Sequence, residues 1–225
     1  MLVIALAKGR FLEPSLGALD EAGVRFTDDP LSSRKLICDS GDGRFRAILV
    51  KPMDVPAYVE YGAADVGITG RDVLLETGAD LLEPLELGFG RCRIAVAAPR
   101  GVSSADSDRP IVRVATKYPN ITLEYFSRKS IPVEIIPLSG SIELGPLVGL
   151  ADRIVDLVET GRTLEENGLE VVDVIAWSSA RLVVNRASYQ TKRDEVRSFI
   201  EAVERTKEGA GGRGAPTPGA AGRLP

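Results

Sequence analysis

The chain of 225 residues contains no histidine. That removes the Ser-His-Asp triad, the Cys-His pair and every histidine-ligated metal centre, and with them much of hydrolase chemistry. Cysteine is nearly absent too: Cys38 and Cys92 lie far apart and form no CxxC pattern. Neither a disulfide framework nor a thiolate zinc site follows, and each thiol reads as a small buried hydrophobe. No stretch reaches the roughly eighteen uncharged apolar residues of a membrane helix, and the apolar start Leu2 to Ala7 is too short for a signal peptide. The expectation is a soluble, cytoplasmic protein without membrane association. A surplus of positive charge is also missing, since 28 Lys and Arg face 32 Asp and Glu for a formal net charge of -4. Nucleic-acid binders normally carry a basic surface, so nucleic acid is not an expected partner and any phosphate must be bound locally.

What is present is a globular composition: 44% of the residues are hydrophobic, enough for one large or two small cores. Met1 to Leu6 is a continuous apolar run closed by Lys8-Gly9-Arg10, which predicts a buried parallel strand with a ligand-facing end. Leu12, Leu16 and Leu19 at helical spacing then predict a helix over Phe11 to Ala22, capped by Gly23. Strands are predicted at 47–50, 65–68, 92–98, 112–115, 133–136, 154–158, 171–176 and 181–184. Helices fall between many of them, at 54–61, 71–76, 121–127 and 142–148. This alternation predicts parallel α/β sheets, and the polar stretch 102–108 reads as a surface loop. Val196, Phe199, Ile200 and Val203 give Tyr189 to Arg205 a clear amphipathic face. From 207 to 225, Gly, Ala and Pro dominate; this segment is expected to be a flexible tail with nothing to bury.

The sharpest chemical signal is the run from Asp152 to Leu164, an apolar strand leading through Glu159, Thr160, Gly161 and Arg162 into Thr163 and a helix. A phosphate suits such a junction: glycine admits close approach, hydroxyls and first-turn amides donate, and the helix dipole favours an anion. Asp152 and Asp156 upstream can accept hydrogen bonds from ribose hydroxyls. The bland alternative makes Thr163 an N-cap with Glu166 completing a capping box. Ser139-Gly140-Ser141-Ile142-Glu143 opens another helix and suits a sugar phosphate or a nucleotide, again with a simple helix cap as the alternative. Lys8, Arg10, Arg34, Lys35 and Lys51 supply positive charge in the first half, each also readable as a solvated surface charge. Asp65 to Gly70 fits neither a Walker nor a Rossmann loop, although its glycines would admit a flat ligand.

Seven segments in order resemble the short form of the ATP phosphoribosyltransferase family: 7–10, 54–59, 65–70, 90–93, 115–119, 140–146 and, above all, Asp156-Leu-Val-Glu159-Thr160-Gly161-Arg162-Thr163-Leu164-Glu-Glu-Asn-Gly168. The resemblance runs from Leu2 to about Glu204. It implies an α/β, two-lobed fold like that of type II periplasmic binding proteins, with the active site in the interlobe cleft. Lobe I would be discontinuous, using 1–89 and 173–206, with lobe II at 90–172. It implies attack of adenine N1 of ATP on C1 of phosphoribosyl pyrophosphate with loss of pyrophosphate, in the presence of Mg²⁺ held mainly by substrate oxygens.

The same resemblance implies roles for residues. Thr160, Gly161, Arg162 and Thr163 would take the 5-phosphate, and Asp156 and Glu143 the ribose hydroxyls. Lys8, Arg34 and Lys51 would stabilise the departing pyrophosphate, while Arg10, Gly67 and Thr69 would contact ATP. The family presents an arginine where Lys51 stands, and lysine keeps the charge but loses the bidentate fork. No further βαβ pattern follows Arg205, as in the short form, and the resemblance implies a homodimer that joins a regulatory subunit related to histidyl-tRNA synthetase in a hetero-oligomer. Two competing readings are a type I phosphoribosyltransferase, which usually carries adjacent acids before its phosphate loop, and a non-catalytic solute-binding protein of the same fold.

Overall fold

The structure is a computed structural model and describes residues 1–101 and 110–210, with side chains as far as 206. Eleven strands and eight α-helices follow one another within it. The first group is β1 (Leu2–Ala7), α1 (Leu12–Glu21), β2 (Ile37–Asp39), β3 (Phe45–Val50), α2 (Val55–Glu60), β4 (Val66–Gly70), α3 (Arg71–Thr77) and β5 (Leu82–Glu86). Next come β6 (Cys92–Pro99), β7 (Val112–Thr116), α4 (Pro119–Arg128), β8 (Val133–Pro137), α5 (Leu144–Leu147), β9 (Arg153–Val158), α6 (Arg162–Glu166) and β10 (Leu169–Ser178). The chain ends in β11 (Ala180–Val184), α7 (Arg186–Thr191) and α8 (Arg193–Ala210).

Two sheets result, ordered β2-β3-β1-β4-β11-β5 and β10-β6-β9-β7-β8. Each has a parallel core, β3-β1-β4 in the first and β9-β7-β8 in the second, and these are the strands linked through helices. The expectation of wholly parallel sheets is corrected at the margins: β2, β11, β5, β6 and β10 all pair antiparallel. The cause is where two strands insert: β11 lies between β4 and β5, and β6 between β9 and β10, each running opposite to strands that a crossover helix keeps parallel, while β2 turns directly into β3. The two lobes are joined by a pair of crossings that bind each other. Leu87 N donates to Ala180 O at 2.9 Å and Ala180 N to Phe89 O at 3.0 Å, so the outgoing and returning strands form one short ribbon.

Each sheet has its own core. Around the first pack Ile4, Leu6, Ile68, Leu182 and the buried face of α8, Val196, Phe199 and Val203. The second sheet is covered on both sides, one by a cluster with Ile142, Ile154 and Leu164, the other by one with Tyr118, Ile121 and Phe126. The first lobe is closed by a buried acid, Asp65. It accepts from Val3 N at 2.9 Å, Ser188 Oγ at 2.7 Å and Lys192 Nζ at 2.8 Å, tying β1, α7 and the start of α8 together. Burial works against the charge on Asp65, but the Lys192, Ser188 and Val3 bonds outweigh it and hold its carboxyl below the usual range.

Other elements also differ from expectation. Tyr189 to Arg205 is not one helix: Asn185 caps α7 by accepting from Ser188 N at 2.8 Å, and a break at Lys192 separates α8. The second helix continues to Ala210, so 207–210, expected in the tail, are helical. The loop expected at 102–108 and the tail from 211 onward lie outside the described residues.

Candidate active site

The strand ends that face the cleft carry most of the expected site. Ala7 and Val50 are in register across β1 and β3, so Lys8 and Lys51 leave the sheet side by side, and Lys8 N donates to Val50 O at 2.9 Å. Arg34 precedes β2, whose start lies at the same end of β3 because Leu49 N donates to Leu36 O. Arg34, Lys51 and Lys8 therefore flank the C-terminal ends of adjacent strands, where ligands of open α/β sheets bind. All three are exposed.

Across the cleft, β9 runs between β6 and β7 and delivers Asp156 and the loop 159–163 to the same opening. Gly161 has φ of +88° and acts as the N-cap of α6 without any side-chain cap. The capping-box alternative at Thr163 is thus not realised. Glu165 N donates to Gly161 O at 3.1 Å, which leaves first-turn amides such as Thr163 and Leu164 without intrahelical acceptors. A concavity of about 380 Å³ lies here, lined among others by Arg10, Glu143, Asp156, Thr160, Gly161 and Thr163. Arg10 is the contribution of the first lobe to this wall: Nη1 is 4.0 Å from Glu159 Oε2 and Nη2 donates to Cys92 Sγ at 3.6 Å. Expected beside ATP, Arg10 thus reaches the residues expected to hold the sugar.

Asp156 is partly buried, and that burial pushes its carboxyl above the ordinary value. The Leu157 amide, at 2.8 Å, and the charges of Lys117 and Arg10 pull it back down, while Glu143 pushes it further up. Ser141, just before Glu143, adopts a left-handed φ of +49°, an uncommon conformation for a non-glycine residue, at the turn that presents Glu143.

One expectation is corrected, and three further residues take the places that follow it. Asp152 does not reach this strand end; it sits at the other end of β9 and pairs with Arg113, Oδ1 to Nη2 at 3.0 Å. Gly67 is closely packed, since a side chain there would stand 2.8 Å from Val59 Cγ2 and 3.0 Å from Val55 Cγ1. Thr69 is fully buried, with its Oγ1 lacking a partner among the described residues. Arg162 points its guanidinium outward, 4.0 Å from Glu166 and 83% exposed, so only its backbone belongs to the loop's inner surface. Both cysteines are buried free thiols, pushed upward first of all by burial, as inert thiols are.

The sequence reading passed over the groups that join the lobes. Asp72, on α3, accepts from Tyr118 Oη at 2.8 Å and Ser178 Oγ at 2.7 Å, and Glu76, one turn on, accepts from the amides of Asn120 and Ile121 at 2.9 and 3.0 Å. Lys117, whose charge is felt at Asp156, lies next to Tyr118 in this junction. The available signal was Asp72 and Glu76 at i and i+4 on the helix expected at 71–76.

A family model described as ATP phosphoribosyltransferase matches residues 51–205. An ATP phosphoribosyltransferase from Geobacter metallireducens is 50% identical over 206 residues, covering 91% of this chain and 97% of that protein. One from Sorangium cellulosum is 48% identical over 210 residues, covering 93% and 98%. Among solved structures, an ATP phosphoribosyl transferase (HisG:HisZ) complex from Thermotoga maritima matches with a TM-score of 0.84 and 40% identity, over 93% of this chain and 100% of that one. The substrate-binding protein of an amino acid ABC transporter, at 12% identity and a TM-score of 0.57 over 93% and 94%, shares the two-lobed binding-protein fold alone. Matched by a family model over most of its length and by relatives at half identity across nearly the whole of both chains, this chain belongs to the ATP phosphoribosyltransferase family, the transferases of the first step of histidine biosynthesis.

Proposed function

We propose that phosphoribosyl transfer to ATP takes place between the two facing walls of this cleft, with the work divided by lobe. The loop at Thr160, Gly161, Arg162 and Thr163 holds the 5-phosphate through amides and hydroxyls, and Asp156 with Glu143 accepts hydrogen bonds from the ribose hydroxyls. Lys8, Arg34 and Lys51 on the first lobe meet the pyrophosphate, and Arg10 spans from the first lobe towards both substrates. The lone pair of adenine N1 forms the new bond to C1 while the C1–O bond breaks and its electrons leave with pyrophosphate. The attacking nitrogen needs no general base, so positioning and electrostatics carry the rate, which agrees with a chain that has no histidine.

Among the described residues no group of three or more acidic, cysteine or histidine side chains is arranged to hold a metal. Separate carboxylates such as Asp156 and Glu143 fit an ion that arrives on the diphosphate and keeps mostly substrate and water oxygens. Mg²⁺ so bound would supply charge neutralisation for the leaving pyrophosphate. We further propose a cytoplasmic homodimer that assembles with a regulatory subunit related to histidyl-tRNA synthetase, in line with the HisG:HisZ pairing of the Thermotoga maritima complex.

The observation that carries this reading is the shared concavity, in which Arg10 of the first lobe meets Asp156 and the loop of the second. Its test is kinetic. Thr160→Val and Thr163→Val each remove a hydroxyl donor to a charged group, so the dissociation constant for phosphoribosyl pyrophosphate is expected to rise roughly 10- to 100-fold while that for ATP stays within about twofold. Unchanged sugar-phosphate affinity in both variants would make the loop a mere helix start.

A further inference from the structure

Arg93 has no role in the account so far, yet its guanidinium lies against the sugar-phosphate loop. It is the second residue of β6, in register with Val158 of β9 on one side and Trp177 of β10 on the other. Neither neighbour carries a counter-charge. Its Nε is buried and has no hydrogen-bond partner among the described residues. The guanidinium nonetheless approaches the turn closely, because a side chain built on Gly161 would stand only 3.9 Å from Nη2. Arg162, the cation within the loop itself, is 83% exposed and turned towards Glu166.

A buried donor left unmet is costly, and Nε of this half-buried arginine is such a donor. The surrounding sheet gives it no acceptor, whereas a phosphate seated on the loop would meet the guanidinium edge. We propose that Arg93 is a binding residue for the 5-phosphate of phosphoribosyl pyrophosphate, reaching it from the β6 side while the amides and hydroxyls of 160–163 hold it from the loop. The fork of arginine suits two phosphate oxygens at once, which a lysine cannot match. Gly161 makes the turn through its positive φ and brings the loop to ordinary contact distance of Nη2. This proposal rests on the reading of the loop as the sugar-phosphate site.

The test uses the full chain with Arg93→Met, Arg93→Lys and Thr163→Val, titrated calorimetrically with ribose 5-phosphate and, separately, with pyrophosphate and Mg²⁺. Arg93→Met is expected to weaken ribose 5-phosphate roughly tenfold or more and to leave pyrophosphate within about twofold, with Arg93→Lys in between. Its melting temperature without ligand should stay level or rise, because a buried donor without a partner has been removed; a packing residue would show the opposite. Normal ribose 5-phosphate binding in Arg93→Met, with Thr163→Val weakened, overturns the role of Arg93 and leaves the loop intact. Normal binding in all three variants overturns both. A lower melting temperature in both Arg93 variants without a selective loss of ribose 5-phosphate also overturns the proposal.

Discussion

Asp156 shows how one position carries both a cost and a use. Its burial raises its carboxyl above the ordinary value, so folding makes the charged form costlier than it is in the unfolded chain. For a carboxyl raised in the folded state, stability is greatest below the unfolded value and falls as pH rises through the folded one. The charge that would grip the ribose is therefore held at the expense of stability at neutral pH. Asp156→Asn is expected to raise the melting temperature of the free chain and to weaken phosphoribosyl pyrophosphate roughly tenfold or more. In the parent chain, affinity for this substrate should fall on acidification at a pH above the ordinary carboxylate value of about 4, and the Asn variant should lack that limb. A pH series of binding titrations checks both. The position of Asp156 was legible in the sequence, because an apolar strand running into a glycine turn carries it to the concavity beside that turn. Asp152 misled because spacing does not tell which end of a strand a side chain occupies: it pairs with Arg113 at the far end of β9.

At the scale of elements, the junction between α3 and α4 decides how the walls of the cleft face each other. Glu76 caps the N-terminus of α4, where a carboxylate meets both free amides and the helix dipole, and one turn away the Asp72 carboxylate accepts from Tyr118 and Ser178 while its amide donates to Ser178 Oγ. Burial, followed by the neighbouring charge of Asp72, keeps the Tyr118 phenol protonated well past its usual range, so it stays a donor. Glu76→Gln is expected to cost about 1–3 kcal/mol in urea unfolding, and Tyr118→Phe about 1 kcal/mol. Because neither side chain lines the concavity, a loss of turnover with nearly normal binding of each substrate alone would mark them as positioning residues; unaltered turnover at unaltered stability would contradict the latch. The regular elements were largely legible through apolar runs and periodicity. Those that escaped had weak patterns of their own. Thus β5 contains Pro84 on the edge of its sheet, beside a bulge, where a missing amide does no harm, and β2 is only three residues long.

For the whole molecule, the sequence periodicity carried strands and helices but not their assembly, since the return of the chain from β10 to β11 pairs residues about ninety positions apart. The expectation of two lobes came from family resemblance; composition and spacing alone left one large or two small cores open. The physical reason is that Asp65, which staples β1 to α7 and α8, and the Leu87–Ala180 ribbon are contacts between segments with nothing in common locally. Once those contacts form, the positive strand ends of the first lobe face the loop of the second, and the account stands or falls on what that loop holds. Amide hydrogen exchange with and without phosphoribosyl pyrophosphate and Mg²⁺ measures this directly. The predicted result is slowed exchange concentrated at 159–164, with a smaller effect around Glu143 and no comparable effect from ATP alone. Unchanged exchange at 159–164 at saturating phosphoribosyl pyrophosphate, with protection appearing elsewhere, would contradict it.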